Sequence, residues 1–336
     1  MPKEPRDAIR PWFSSAEAVG EFIGIRFGRV RPGSSEPEWT FLPHSEVDGI
    51  GGLAKILRER GAEVGRLLQL KHPAGPSALC AVRAFPKYLK PRRPLKWLEM
   101  ERGPALPDIG PQPPPAVAWH AFSEPTTVQI RRVCRKGGVT VNSFLLKHLT
   151  KAIRPFLQDQ SSVVPWMVPV NLRGKVSRGS DIANHSSYVG VRVKSYETVK
   201  NIHKNIYAAL GRGEHWANWF AYHTGPMITE GMRRFLITKG LAMSQWNLGG
   251  FSNLGEWDAE KKINNPDCTG DWFFSPPVLR CQLVGAGCVT FQNRLTLTIQ
   301  AHPDLTTSPK VPKAWLANWL KEIEMDISEE PAYLTA

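Results

Sequence analysis

The sequence predicts an α/β (α+β) chain of mixed sheets flanked by helices. Three observations carry the prediction. Runs with strand composition alternate with runs of helical period, two pairs of strand-like runs are close enough to form hairpins, and 336 residues suffice for two lobes with substantial cores. A content of 42% hydrophobic and 22% charged residues is that of an ordinary soluble protein rather than a disordered or fibrous one.

The elements follow in order. Phe22 to Val30 and Trp39 to Leu42 read as strands, and Arg31-Pro32-Gly33-Ser34-Ser35 between them reads as a hairpin turn. After Gly49 the period changes: Leu53, Ile56 and Leu57 recur at helical spacing, and Gly61 is the expected stop. Leu79 to Ala84 reads as a further short strand. Between Pro86 and Pro115, seven more prolines (91, 94, 104, 107, 111, 113 and 114) exclude regular helix and favour extended chain. The expected organisation is therefore an N-terminal lobe over 1–85, a proline-rich basic linker over 86–115 and a C-terminal lobe over 116–336.

Beyond the linker, Val117 to Phe122 reads as a strand and Thr126 to Lys136 as a helix ended by Gly137-Gly138. Val141 to Leu157 reads as a longer helix, with Asn142 as its N-cap. Val163 to Leu172 and Ser187 to Val193 are expected strands, and Val199 to Leu210 an expected helix. Trp216, Trp219, Phe220 and His223 then fall at i, i+3, i+4 and i+7, an aromatic stripe that serves either as packing or as a substrate wall. Val289 to Phe291 and Leu295 to Ile299 form an expected closing hairpin, and Trp315 to Ile323 an amphipathic final helix. No internal repeat is visible.

Charge and cysteines bound the function. A formal charge of +13 creates a field that attracts anions, whether nucleic acid, an anionic membrane, coenzyme A or an acidic carrier protein. No RNP, zinc-finger or helix-turn-helix pattern accompanies it, so nucleic acid is not the expected partner. Lys87, Lys90, Arg92, Arg93 and Lys96, with Tyr88 and Trp97 interleaved, are the densest basic cluster, either a solvated linker or a strip for phosphates. The five cysteines are odd in number and lack a Cys-x-x-Cys pair, so neither a disulfide framework nor a zinc site is indicated, and Cys281 and Cys288 read as small buried hydrophobes. The polar start and the lack of any run of roughly 18 apolar residues make a transmembrane segment unexpected and the cytoplasm the default location.

The chemistry concentrates in Pro43-His44-Ser45-Glu46-Val47-Asp48-Gly49, between a strand and a helix. A histidine at such a turn can present one ring nitrogen to a substrate as a general base. His44, Glu46 and Asp48 alternate, but a metal site would need a further remote ligand, and none is expected. Taken alone, His44 reads as a satisfied loop or core histidine, and only the later segments favour the base.

This segment resembles the His-His-x-x-x-Asp-Gly signature of the CoA-dependent acyltransferase superfamily, which includes chloramphenicol acetyltransferase, condensation domains of peptide synthetases, alcohol acetyltransferases and wax ester synthases. Here the second histidine is His44, and Pro43 replaces the first. Val139-Thr140-Val141-Asn142-Ser143-Phe144-Leu145-Leu146 resembles the family's Val-Asn-Asp helix start. Val168-Pro169-Val170-Asn171-Leu172-Arg173 resembles its strand ending in Asn-Leu-Arg, and Phe251-Ser252-Asn253-Leu254-Gly255 resembles the Ser-Asn-hydrophobic-Gly strand of the alcohol acetyltransferase branch. The four segments occur in the family's order.

The resemblance implies a two-lobed fold with a tunnel between the lobes, the first lobe shortened because only 43 residues precede His44. A partner chain completing that lobe is a further expectation. The resemblance also implies an acyltransferase, with His44 as the base that moves an acyl group from CoA or a carrier-bound phosphopantetheinyl thioester to a hydroxyl or amine. No tightly bound cofactor and no metal are expected. Asp48 is expected to turn away and pair with Arg173, Gly49 to leave space on the channel side, and Ser252 and Asn253 to orient the acyl carbonyl, unless Asn253 and Gly255 merely shape a bulge. The alternative is a non-catalytic, condensation-domain-like scaffold.

Overall fold

The structure is a computed structural model describing residues 8–70, 78–84, 95–103, 116–160, 163–176, 179–242, 248–257 and 266–328. It contains two sheets. A three-stranded sheet has the order β2-β1-β7, from β1 (Gly24–Val30), β2 (Glu38–Pro43) and β7 (Asp271–Ser275). A six-stranded mixed sheet has the order β3-β9-β8-β6-β4-β5, from β3 (Val117–Ala121), β4 (Val164–Asn171), β5 (Ser186–Val193), β6 (Gly249–Trp257), β8 (Val284–Phe291) and β9 (Arg294–Ala301). Among the described residues, β4·β6 and β6·β8 are the parallel strand pairs and the others are antiparallel.

Local chemistry sets most element ends. The β8–β9 turn places Gln292 at φ 46° and Asn293 at φ 63°, the backbone of a two-residue hairpin matched to strand twist. Helix α2 (Gly49–Glu59) starts on Asp48, whose carboxylate accepts from the Gly51 N–H. Helix α4 (Glu124–Lys136) starts on Ser123 and stops at Gly137-Gly138, where Gly138 has φ +63°. Helix α6 (Val199–Gly211) starts on Thr198.

Two elements, and the cap of one of them, differ from the sequence expectation. Ala78–Ala84 is a short helix, α3, rather than a strand. Its Ala, Leu and Arg residues favour helix, and a six-residue apolar run carries no period able to decide. The helix expected over Val141 to Leu157 is α5 (Val141–Ile153) followed by a 3₁₀ turn (Arg154–Phe156), because Pro155 has no N–H to continue the ladder. Its N-cap is Thr140, whose hydroxyl accepts from the Ser143 N–H, rather than Asn142, which already lies inside the helix.

The larger core joins the six-stranded sheet to α4, α5, α6 and α9 (Lys310–Ser328). Buried indoles tie these layers together, Trp166 Nε1 donating to Thr150 Oγ1 at 2.9 Å and Trp319 Nε1 to the Leu145 carbonyl at 3.1 Å. The aromatic stripe falls on α7 (Glu214–His223), where Trp216 is fully buried and meets Trp219 edge-on at 5.9 Å. It is packing. A smaller core joins Ile25, Phe27, Leu53 and Leu57 to Leu254, Trp257, Trp272 and Phe274.

Strand β7 couples the two sheets. It pairs with β1, yet Gly287 on β8 lies so close beneath it that a Cβ there would stand 2.0 Å from the Phe274 carbonyl oxygen. Among the described residues no helix is long and apolar enough to cross a membrane.

The cap assignment at α5 gives a direct prediction. Thr140→Ala will lower stability by about 1 kcal/mol, whereas Asn142→Ala will change it by less than about 0.5 kcal/mol. Urea unfolding of both variants measures the difference.

Candidate active site

The turn after β2 is built by one carbonyl. Pro43 ends the strand, and its carbonyl oxygen accepts the N–H groups of Glu46 at 3.1 Å and Val47 at 3.3 Å. His44 is still held to the sheet, donating its N–H to the Ile23 carbonyl at 3.1 Å. Its ring folds back over the turn, so that Nδ1 lies 2.8 Å from the Val47 carbonyl. A carbonyl can only accept, so Nδ1 carries the proton and Nε2 keeps its lone pair.

The surroundings favour this neutral form. Burial pushes the His44 pKa below its usual 6.5, against smaller opposing effects of the Val47 hydrogen bond and the Asp48 charge. The residue as a whole is half-buried. One neighbour is Phe13 of α1 (Arg10–Glu17), edge-on at 5.4 Å between ring centroids.

Asp48 faces the other way. Its carboxylate accepts from Gly51 N–H at 2.8 Å, His185 N–H at 2.7 Å, Arg173 Nη1 at 2.7 Å and Arg173 Nη2 at 2.9 Å. Both side chains of the ion pair are 5% exposed. Arg173 also donates to the Asp181 carbonyl at 2.8 Å, the Ala183 carbonyl at 3.0 Å and Asn171 Oδ1 at 3.2 Å. A buried pair costs little only when its remaining donors and acceptors are satisfied, as they are here. None of these bonds reaches the His44 ring, so the pair braces the turn from behind.

The Gly49-Ile50-Gly51-Gly52 run makes that bracing possible. A Cβ on residue 51 would stand 2.0 Å from the Ile182 carbonyl oxygen and 2.8 Å from Arg173 Nη2. At Gly49 the expected channel-side opening is not what the structure shows. A Cβ there would meet Leu254 Cδ2 at 2.4 Å and Phe274 at 2.9 Å, so this glycine serves close packing of α2 against β6 and β7.

Through Leu254 the Ser-Asn strand runs past the start of α2. Ser252 is buried, while Asn253 Oδ1 accepts the Gly255 N–H at 2.8 Å, with Gly255 at φ +79° and the β6–β8 register shifted beyond Asn253. The carbonyl end of Asn253 thus shapes a bulge. Among the described residues no hydrogen bond joins Ser252 or Asn253 to His44. Of the residues singled out in the sequence, His44, Asp48, Gly49 and Arg173 share one constellation, whereas the strand of Ser252 and Asn253 meets it through Leu254, against Gly49. In the basic cluster, residues 87, 88, 90, 92 and 93 lie outside the described residues, and Trp97 packs on Trp315 at 5.6 Å.

Sequence reasoning missed the segment before β5. Ala183 bridges Val47 in antiparallel fashion, Asn184 Nδ2 donates to the His44 carbonyl at 2.7 Å, and His185 donates its backbone N–H to Asp48. The same segment contributes Asp181, paired with Arg58 through contacts of 2.9 and 2.7 Å. An Asn next to a strand start was the only local signal, and it does not reveal a partner 140 residues away. A cavity of about 280 Å³ lies beside Arg173, lined by Arg66, Gln69, Ser180 and His185 among others, and a second of about 360 Å³ lies between the β1–β2 and β8–β9 turns; neither is lined by His44.

The two-sheet architecture is a fold shared with solved condensation-domain and acetyltransferase structures. Three solved structures illustrate it, all similar at low identity. Polyketide synthase associated protein 5 from Mycobacterium tuberculosis is 14% identical, with TM-score 0.54, 90% of this chain and 76% of that one being covered. The trichothecene 15-O-acetyltransferase of Fusarium sporotrichioides is 15% identical with TM-score 0.54 over 89% and 70%. The condensation domain of the monacolin K polyketide synthase is 13% identical with TM-score 0.54 over 88% and 70%. No family model matches the sequence, and no curated protein matches it either.

Removing one member of the ion pair strands a buried charge, so Arg173→Met will cost about 3–5 kcal/mol in denaturant unfolding. Asp48→Asn combined with it will cost less than the sum of the two single changes. His44 will titrate below 6.5, the unfolded value, by histidine-resolved NMR. Between its folded value and 6.5 the unfolded state binds more protons, so this residue's contribution to stability falls as pH drops through that window and levels off below it.

Proposed function

We propose that the chain is an acyltransferase that moves an acyl group from a thioester of CoA, or of a phosphopantetheinyl carrier, to a hydroxyl or amine. One observation carries the reading: the only ring nitrogen of His44 left to act is Nε2, held neutral and basic on a turn fixed by a buried ion pair. The fold supports it at the level of acyl transfer in general.

In this reading Nε2 takes the proton of the acceptor hydroxyl or amine as that atom attacks the thioester carbonyl. The carbon–sulfur bond then breaks, and the imidazolium returns its proton to the leaving thiolate, so no acyl-enzyme forms. The Val47 carbonyl stabilises the transient imidazolium through Nδ1–H, as the Asp48 charge does at longer range. Ser252, and the amide nitrogen of Asn253, are the groups assigned to orient the acyl carbonyl. Donors fixed in advance at that oxygen lower the barrier because they need not reorganise. The net charge of +13 favours the anionic phosphates of CoA or an acidic carrier as donor.

A non-catalytic scaffold is the second reading. It draws on Phe13 standing against the His44 ring and on Asn253 spending its carbonyl on Gly255.

Purified protein incubated with acyl-CoA donors of varied chain length will release free thiol faster when a mixed pool of alcohols and amines is added. His44→Ala will lower that rate by about 10²–10⁴-fold with an unchanged melting temperature. Absence of acceptor-dependent release from every donor favours the scaffold. Because the folded His44 pKa lies below 6.5, the acid limb of the rate profile will fall below pH 6.5.

A further inference from the structure

Asn184 is 4% exposed and spends both ends of its amide inside the site. Its Oδ1 accepts the Ser186 N–H at 3.0 Å and the Ser186 hydroxyl at 2.6 Å. A backbone N–H can only donate, so the amide has one possible orientation and Nδ2 faces His44. Nδ2 stands 2.7 Å from the His44 main-chain carbonyl and 3.4 Å from Nδ1 of its ring. Nδ1 cannot both donate to the Val47 carbonyl and accept from Asn184. The 2.8 Å contact decides for Val47, which leaves the Asn184 donor to the His44 carbonyl.

The two contacts divide the work. Asn184 fixes the backbone from which the imidazole hangs, and Val47 fixes the rotation of the ring. The residues on either side complete the brace, Ala183 bridging Val47 and His185 donating to Asp48. Three consecutive residues of the β5 lead-in thus hold the His44–Asp48 turn point by point.

We propose that Asn184 is a positioning residue for His44, acting through the His44 carbonyl to hold Nε2 in its working direction. This rests on the reading of His44 as the base. Among the described residues the charge acting on the imidazole is that of Asp48 on its own turn, with Arg173 paired to Asp48 from the β4–β5 connection; α1 contributes the apolar Phe13.

The test uses the full chain with labelled histidine, in Asn184→Ala and Asn184→Asp forms. In wild-type protein the His44 resonances will report a single Nδ1–H tautomer. Asn184→Ala will give a mixture of tautomers. Asn184→Asp keeps an acceptor for Ser186 but sets a carboxylate beside Nδ1, and will raise the His44 titration midpoint by about one unit or more. Acceptor-dependent thiol release from acyl-CoA will fall by up to about 10²-fold in kcat in Asn184→Ala, with KM changed less than about twofold. Ser186→Ala, which removes only the hydroxyl bond to Oδ1, will move the same readouts in the same direction by less, and serves should Asn184→Ala fail to fold. Tautomer and midpoint unmoved in the folded variants overturn the assignment, even where activity is lost. Variants that shift His44 while wild-type protein transfers no acyl group support the positioning role and refute the acyl-transfer reading.

Discussion

The Asp48–Arg173 ion pair is the constraint on which the site depends. It joins the turn after β2 to the connection between β4 and β5, 125 residues apart in sequence, with both partners almost fully buried. Two charges removed from water are tolerable only when every remaining lone pair and proton is used. That requirement dictates the surroundings. It places the Gly51 and His185 N–H groups on the carboxylate, the carbonyls of residues 181 and 183 on the guanidinium, and glycine at 51, where a side chain would collide with both the Ile182 carbonyl and the arginine. The loop can adopt few other shapes without stranding a charge.

The state of His44 follows from that fixed shape. Once the turn is closed by the Pro43 carbonyl, the Val47 carbonyl lies where Nδ1 must donate, and burial disfavours a second proton. The aspartate four residues on contributes charge at a distance rather than a hydrogen bond. This separates the arrangement from a relay in which a carboxylate holds the imidazole directly: here a main-chain carbonyl orients the ring, and the carboxylate orients the main chain.

Much of this was legible in the sequence, because the deciding signals are local. The strand-like run before Pro43, the helical period after Gly49 and the Gly137-Gly138 stop after α4 each act within a few residues. The Asp48–Arg173 pair was expected only from a resemblance spanning two distant segments. What was not legible is tertiary. The pairing of β7 with β1, the role of Asn184, and the packing of Leu254 and Phe274 that forces glycine at 49 depend on which strands come to lie side by side. Thr140 was passed over for Asn142 although both are capping types, since the first helical residue is settled by backbone geometry two positions away.

Pro43, the departure from the two-histidine signature, is accommodated for a reason visible in the ladder. His44 points its N–H toward β1, to the Ile23 carbonyl, and successive N–H groups along a strand point to opposite sides. The nitrogen of residue 43 therefore points away from β1, and β2 is an edge strand, so the N–H that proline lacks has no ladder partner to lose. What the turn requires of residue 43 is its carbonyl, which accepts from Glu46 and Val47 and which proline supplies as well as histidine does. The fixed φ of proline further narrows the entry to the turn. The substitution thus removes a side chain from the turn without disturbing the backbone that aims His44, and leaves one imidazole where the signature has two.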